Sequence, residues 1–356
     1  MRVLIAGGGT GGHIIPALAV ARELVARHGA EILFVGTERG LETRLVPQAG
    51  FALKLIEVGP LNNVSLMTRL RTAVEIPASL LKCRRVIGEY KPDVVFGIGG
   101  YASGPGVVAA LLMRVPTLLF EPNAMPGLTN RLVGKRVQGA VINFPAAAKW
   151  FRNAEVTGVP VRPEFFNVPE YEGPPHLLVF GGSQGARVFN QTMPRIVKAL
   201  LDAVPELTVL HQCGLRHVET TQAAYAGSGA NAARWQVSAF LDDMPARIGQ
   251  ASLVLCRSGA STVAELAAAG KAALLVPFAA AADDHQTRNA EEMAKAGAAV
   301  LLPERELGDG SRLLEELKKL LGDPGKMRSM GEAARTQAHP GAAAGIADRL
   351  AEAGKK

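Results

Sequence analysis

Val3-Leu4-Ile5-Ala6-Gly7-Gly8-Gly9-Thr10-Gly11-Gly12-His13 is an apolar run that breaks into a glycine loop and leads into a helical pattern. Strand, glycine loop and helix in that order open a βαβ unit of a parallel α/β sheet. From Ile14 to His28, apolar residues recur at Leu18, Ala21 and Val25, and Gly29 suits a left-handed helix cap. Further short apolar runs at Glu31–Val35, Val94–Ile98, Thr117–Phe120 and Gly139–Ile142 read as parallel strands. A proline-dense stretch follows, with Pro160, Pro163, Pro169, Pro174 and Pro175. The alternation then restarts with Leu177–Phe180, Thr208–His211, Leu253–Cys256 and Ala273–Val276. The predicted architecture is α/β: two doubly wound domains, residues 1–160 and 161–339, with a ligand cleft at the carboxyl ends of their strands. Beyond Pro340, the alanine-rich pattern Ala342–Ala353 predicts a helix, and residues 340–356 are expected to pack back on the first domain.

A length of 356 residues exceeds the size at which one hydrophobic core keeps growing, in keeping with two domains. With 48% apolar and 20% charged residues the composition is that of a globular protein, not of a disordered chain or a multi-span membrane protein. The apolar run Val107–Met113 stops at Arg114, far short of the ~20 residues that cross a bilayer. With the first strand so near Met1 no export signal is expected, and Cys83, Cys213 and Cys256 form neither an even set nor a C-x-x-C pair. A reducing cytoplasm is expected, with no disulfide framework and no zinc site. The net charge of +7 is uneven: residues 1–160 hold 18 Lys/Arg against 10 Asp/Glu, and the rest 21 against 22. The basic first half implies an anionic partner, either a nucleic acid or an acidic membrane surface.

Four loops carry the chemistry. The first, Gly7 to Gly12, formally matches G-x-G-x-x-G, so a dinucleotide site competes, although Glu38 lies slightly beyond the position that would bind the adenosine ribose. The second, Gly181-Gly182-Ser183-Gln184-Gly185-Ala186-Arg187, offers backbone amides, the Ser183 hydroxyl and a helix N-terminus, which together suit a diphosphate without a metal. The third, Arg257-Ser258-Gly259-Ala260-Ser261-Thr262, leads into Val263-Ala264-Glu265-Leu266. Glu265 is placed there either to accept the two hydroxyls of a ribose or to close a T-x-x-E capping box with Thr262. The fourth, Asp283-Asp284-His285-Gln286-Thr287-Arg288-Asn289, brings amides that suit sugar hydroxyls, and it lacks the D-x-D and the ligand spacing of a metal site.

Gly8-Gly9-Thr10-Gly11-Gly12-His13, Gly99-Gly100-Tyr101-Ala102-Ser103-Gly104-Pro105, Glu121-Pro122-Asn123, Gly127-Leu128-Thr129-Asn130, Gly181 to Ala186 and Cys256 to Ala260 occur in the order and spacing of one family. Nearly end to end, the chain resembles the MurG family of peptidoglycan glycosyltransferases. The resemblance implies a GT-B fold of two Rossmann-like domains, no cofactor, and a UDP-N-acetylglucosamine donor. It also implies an undecaprenyl-pyrophosphoryl-muramyl-pentapeptide acceptor, lipid I, converted to lipid II. It puts Ser183 on the diphosphate, the Phe240 ring on uracil, the Leu241 backbone on the uracil edge, Glu265 on ribose, and Arg162 on the donor. The transferred sugar is then expected near Thr10, Gly11, Gly12, His13, Asn123, Ala260 and Gln286, with Ser261, Thr262, Val263 and Ala264 completing the donor-binding run. Pro122 stands where the family often has Gln.

The resemblance also implies inversion at the sugar, which requires a base for the acceptor C4 hydroxyl, and His13 is the expected one because an imidazole ordinarily titrates near working pH. The lipid-linked acceptor gives the basic half its expected partner, an anionic membrane surface rather than nucleic acid, and implies a peripheral position on the cytoplasmic face. Leu66, Met67, Leu70, Val74, Leu80 and Leu81 among Arg69, Arg71, Lys82, Arg84 and Arg85, with Leu111–Met113 before Arg114, form the expected docking region. A UDP-sugar epimerase of the same architecture, an NAD-dependent oxidoreductase and a UDP-sugar binding protein without turnover are the competing readings.

Overall fold

The structure, a computed structural model, describes residues 1–38, 40–58, 66–100 and 103–355, of which 66–74 and 282 are described by their backbone only. The chain divides into two units, Met1–Val161 with Gly341–Lys356, and Arg162–Pro340.

The first unit is built on a seven-stranded sheet of β1 (Arg2–Gly7), β2 (Glu31–Thr37), β3 (Ala52–Ile56), β4 (Val94–Gly99), β5 (Thr117–Glu121), β6 (Gly139–Ile142) and β7 (Ala154–Val156). Their order is β3-β2-β1-β4-β5-β6-β7, and every pairing is parallel. Val3, Leu4, Ile5 and Ala6 are all buried, as a central parallel strand covered by helices on both faces requires. The winding reverses between β1 and β4, so the loops that follow these two strands flank the topological switch point.

The helix Gly11–His28 follows the first loop and ends at Gly29 in the left-handed region, at φ 56°. Its buried stripe is Ile14, Ala17, Leu18, Ala21 and Leu24. Val25, expected on that stripe, is 44% exposed, because one residue beyond Leu24 turns about 100° off the face. The closing helix Ala342–Ala353 packs on Gly11–His28, and its Ile346, Ala347 and Leu350 are buried. Asp348 on that helix accepts hydrogen bonds from Arg27 at 2.8 Å and His28 at 2.8 Å.

The second unit repeats the plan with β8 (His176–Phe180), β9 (Thr208–Gln212), β10 (Trp235–Ser238), β11 (Leu253–Cys256), β12 (Ala273–Leu275) and β13 (Ala299–Leu301), ordered β10-β9-β8-β11-β12-β13 and again all parallel. Its core joins Leu177, Val179 and Leu255 of the sheet to Phe189, Met193 and Val197 of the helix Arg187–Ala203. The switch point lies between β8 and β11, beside the loops that begin at Gly181 and Arg257.

Candidate active-site residues

In the first unit Thr10 caps the helix Gly11–His28 by backbone geometry alone, leaving its exposed side chain uncommitted to the cap. His13, in the first turn, is partly exposed. Its ring lies over Gly99 at the end of β4, where a Cβ would stand 2.9 Å from Nε2. The Gly8 N–H donates to the Gly99 carbonyl at 3.2 Å, so the loops after β1 and β4 form one surface. Tyr101 and Ala102 of the second motif lie outside the described residues.

The first loop is not an open phosphate cradle. Glu42, fully buried, accepts the Gly9 N–H at 2.7 Å, and its other oxygen accepts the Thr37 N–H at 2.9 Å and hydroxyl at 3.0 Å. The dinucleotide reading needs the loop amides for a pyrophosphate, and an internal carboxylate already uses one of them. Glu42 matched no motif and carries no signal in the sequence beyond its place at the start of a short helical segment.

Asn123, after β5, is anchored by Glu121. That carboxylate is buried and accepts from the Asn123 N–H at 3.0 Å, Asn123 Nδ2 at 3.1 Å, the Gly127 N–H at 3.1 Å and Asn130 Nδ2 at 2.9 Å. Burial pushes its pKa up against the opposing pull of these four donors. Glu121 and Asn130 are therefore the residues that shape the Asn123 loop, a role the sequence reading did not give them.

In the second unit the loop after β8 is exposed from Gly182 to Gln184, which includes Ser183, and leads to the helix Arg187–Ala203. Gly182 and Gly185 take φ of 87° and 72°, and a Cβ at Gly185 would collide with the Cys213 carbonyl. Asn190 of that helix donates to the same carbonyl at 2.9 Å, which ties the first turn of the helix to the residue after β9. After β10, the Phe240 ring is 54% exposed, whereas Leu241 is buried. An apolar ring held in solvent beside a polar loop is available for stacking.

Glu265 lies inside the helix Ala260–Ala269, whose N-cap is Gly259 and makes no side-chain cap bond. The capping-box alternative fails on this geometry, since Thr262 is a residue of the first turn and not the cap. Desolvation pushes the Glu265 carboxyl up to about 7, while Arg162 pulls it down, so these two predicted donor residues sense each other's charge. Arg162 is exposed and stacks on the Phe165 ring at 5.1 Å. Ala260, Ser261, Thr262, Val263 and Ala264 form the first turn and a half of that helix.

Gln286 is the second residue of the helix His285–Lys295, which follows two residues with positive φ, Asp283 at 52° and Asp284 at 54°. Its Oε1 accepts the Phe278 N–H at 2.9 Å, and its backbone carbonyl accepts the Ser258 hydroxyl at 2.8 Å. Arg257, also without an assigned role in the sequence reading, sits between the Phe189 and Phe278 rings at 5.3 and 5.2 Å. It donates to the Val276 and Pro277 carbonyls and pairs with Glu304 at 2.7 Å. The loops after β11 and β12 are thereby clamped together at the switch-point edge.

Two family models match this chain in tandem, the glycosyltransferase family 28 N-terminal domain over residues 3–142 and its C-terminal domain over residues 176–346. The chain belongs to glycosyltransferase family 28. This family 28 chain is 46% identical, over 98% of its length and 95% of the relative's, to a Solibacter usitatus protein named UDP-N-acetylglucosamine--N-acetylmuramyl-(pentapeptide) pyrophosphoryl-undecaprenol N-acetylglucosamine transferase. The crystal structure of Acinetobacter baumannii MurG superposes with a TM-score of 0.83 at 32% identity, covering 99% of each chain. A solved UDP-N-acetylglucosamine 2-epimerase, at TM-score 0.67 and 15% identity over 100% of this chain and 97% of its own, shares the fold alone. The family 28 chain is thus a glycosyltransferase of GT-B architecture, as its two parallel sheets and tandem domain matches require.

Proposed function

We propose that this chain transfers N-acetylglucosamine from UDP-N-acetylglucosamine to the C4 hydroxyl of undecaprenyl-pyrophosphoryl-N-acetylmuramyl-pentapeptide, making lipid II with inversion at the sugar. The observation that carries the reading is the 46% identity, along almost the whole of both chains, with a transferase of that name. The open Gly181–Gly185 loop supports it, because a departing UDP needs donors and a helix N-terminus where charge develops.

In this reading Ser183 and the loop amides hold the diphosphate, Phe240 and Leu241 take the uracil, Glu265 accepts the ribose hydroxyls, and Arg162 offsets the donor charge. Thr10, Gly11, Gly12, Asn123, Ala260 and Gln286 meet the sugar. His13 removes the proton as the acceptor oxygen attacks the anomeric carbon; the bond from that carbon to the phosphate oxygen breaks and UDP leaves with the electron pair. No described helix is long and apolar enough to cross a membrane. In this reading the lipid-linked acceptor calls for a peripheral position on the cytoplasmic face of an anionic membrane.

Leu81, Leu112 and Leu132, each more than 60% exposed, lie on the helices Leu66–Tyr90, Ser103–Leu112 and Leu128–Val133, which pack one on the next, and the exposed cations Lys82, Arg84, Arg85, Arg114, Lys135 and Arg136 accompany them. Apolar side chains ringed by cations suit such a surface. Leu80, Leu111 and Met113 of the expected docking region instead pack against the core. The side chains of Leu66, Met67, Arg69, Leu70, Arg71 and Val74 lie outside the described residues.

Purified protein given the donor with and without a lipid I analogue should release UDP and form the β-1,4-linked disaccharide only with the acceptor present. Acceptor-independent UDP release, or conversion of the donor to its 2-epimer, would overturn the reading. His13→Ala should lower kcat at saturating donor by about 100-fold or more while the UDP dissociation constant stays within twofold.

A further inference from the structure

Glu42 begins the short helix Glu42–Gln48 and turns its carboxylate back beneath the first glycine loop. Besides the Gly9 N–H it holds Thr37 at the end of β2, through both backbone and hydroxyl, while the adjacent Leu41 N–H donates to the Gly9 carbonyl at 3.3 Å. Two consecutive residues therefore grip both polar groups of Gly9. A Cβ at Gly8, Gly36 or Gly40 would collide with the Glu42 side chain, so these glycines form the space it occupies. On the other side the Gly8 N–H bonds the Gly99 carbonyl, and the His13 ring covers Gly99.

We propose that Glu42 is a positioning residue for the transfer: from inside the protein it sets the conformation of the Gly7–Gly12 loop and so aims Thr10 and His13. The inference rests on the reading of Thr10 and His13 as groups that meet the sugar and acceptor. Thr10 and His13 follow Gly9 by one and four residues, and the Thr10 carbonyl accepts the His13 N–H at 3.2 Å, so a shift at Gly9 is carried directly into the first turn of the helix. A carboxylate suits the place because both of its oxygens meet N–H donors. A glutamine would turn an NH2 group against one of them and leave that donor buried without an acceptor. A loop that carries catalytic groups needs this restraint, since a displacement of about 1 Å can cost on the order of 100-fold in rate.

Two variants test it. Glu42→Gln keeps the volume of the side chain and removes one acceptor; Gly40→Ala leaves Glu42 chemically intact and places a methyl against its flexible carboxylate end from a partly exposed position. Both should lower kcat at least tenfold at saturating donor and acceptor, with the UDP dissociation constant within twofold of the unmodified protein and a cooperative thermal transition retained. Turnover within twofold in either folded variant, or a loss of UDP affinity in step with kcat, would overturn the proposal. Should Glu42→Gln fail to fold, Gly40→Ala decides alone. Unchanged kcat in these variants beside an inactive His13→Ala would remove the role of Glu42 only, whereas an active His13→Ala would remove the reading on which it rests.

Discussion

At the scale of single residues, Glu265 joins function to pH. Its folded carboxyl keeps its proton to about pH 7, whereas the reference carboxyl releases it near 4.5. Between those values the folded state binds more protons, so the free enzyme should lose stability as pH rises from about 4.5 to 7. A ribose bound through both hydroxyls calls for the ionised form, so UDP affinity should weaken as pH falls through about 7. Calorimetric titration of UDP across pH 6 to 8 would show a slope approaching one proton, and Glu265→Gln should abolish that slope while weakening UDP about tenfold or more. A pH-independent affinity in the unmodified protein would remove the ribose role. Glu121 makes a different demand. Glu121→Ala would leave four donors facing a cavity and should cost about 3 kcal/mol or more in urea unfolding, with turnover impaired through Asn123.

At the scale of elements, the glycine loops do different work although both follow a central strand. The loop after β1 is occupied from within by Glu42, and the loop after β8 is open to solvent at Ser183. Gly185→Ala would bring a Cβ onto the Cys213 carbonyl at φ 72°. It should lower stability by about 2 kcal/mol and weaken UDP more than it weakens the acceptor, read by thermal denaturation and by the two KM values. The strands legible in the sequence were the central ones, each a buried apolar run. The four not anticipated, β3, β7, β10 and β13, are the four sheet edges; in β3, β7 and β10 polar residues interrupt the apolar run and burial is partial or absent, whereas β13 is apolar but only three residues long.

At the scale of the whole molecule, the exposed leucines of the basic half bear on where the reaction takes place. The double variant Leu81→Glu with Leu112→Glu should lose most of its sedimentation with vesicles containing anionic phospholipid, yet keep turnover with a water-soluble acceptor analogue. Binding of the unmodified protein should weaken as salt rises, because exposed charges are screened over about 10 Å at 0.1 M ionic strength. Salt-independent sedimentation, or equal binding by the double variant, would remove this surface from the account.

By itself the sequence determined two doubly wound α/β domains, the glycine loops and their order along the chain, because hydrophobic periodicity and glycine placement are local properties that fold into local shapes. It also carried the family motifs that name the predicted site residues. The capping-box question at Glu265 stayed open there, since spacing alone does not say where a helix begins; the structure starts that helix at Ala260 and so settled it. Only the tertiary structure decided that the Gly9 amide belongs to Glu42, that Glu121 gathers Asn123, Gly127 and Asn130, and that Arg257 sits between Phe189 and Phe278. Each of these depends on side chains meeting across loops of different strands, and a buried polar group finds its partner through the packing of the sheet, which no stretch of sequence carries by itself.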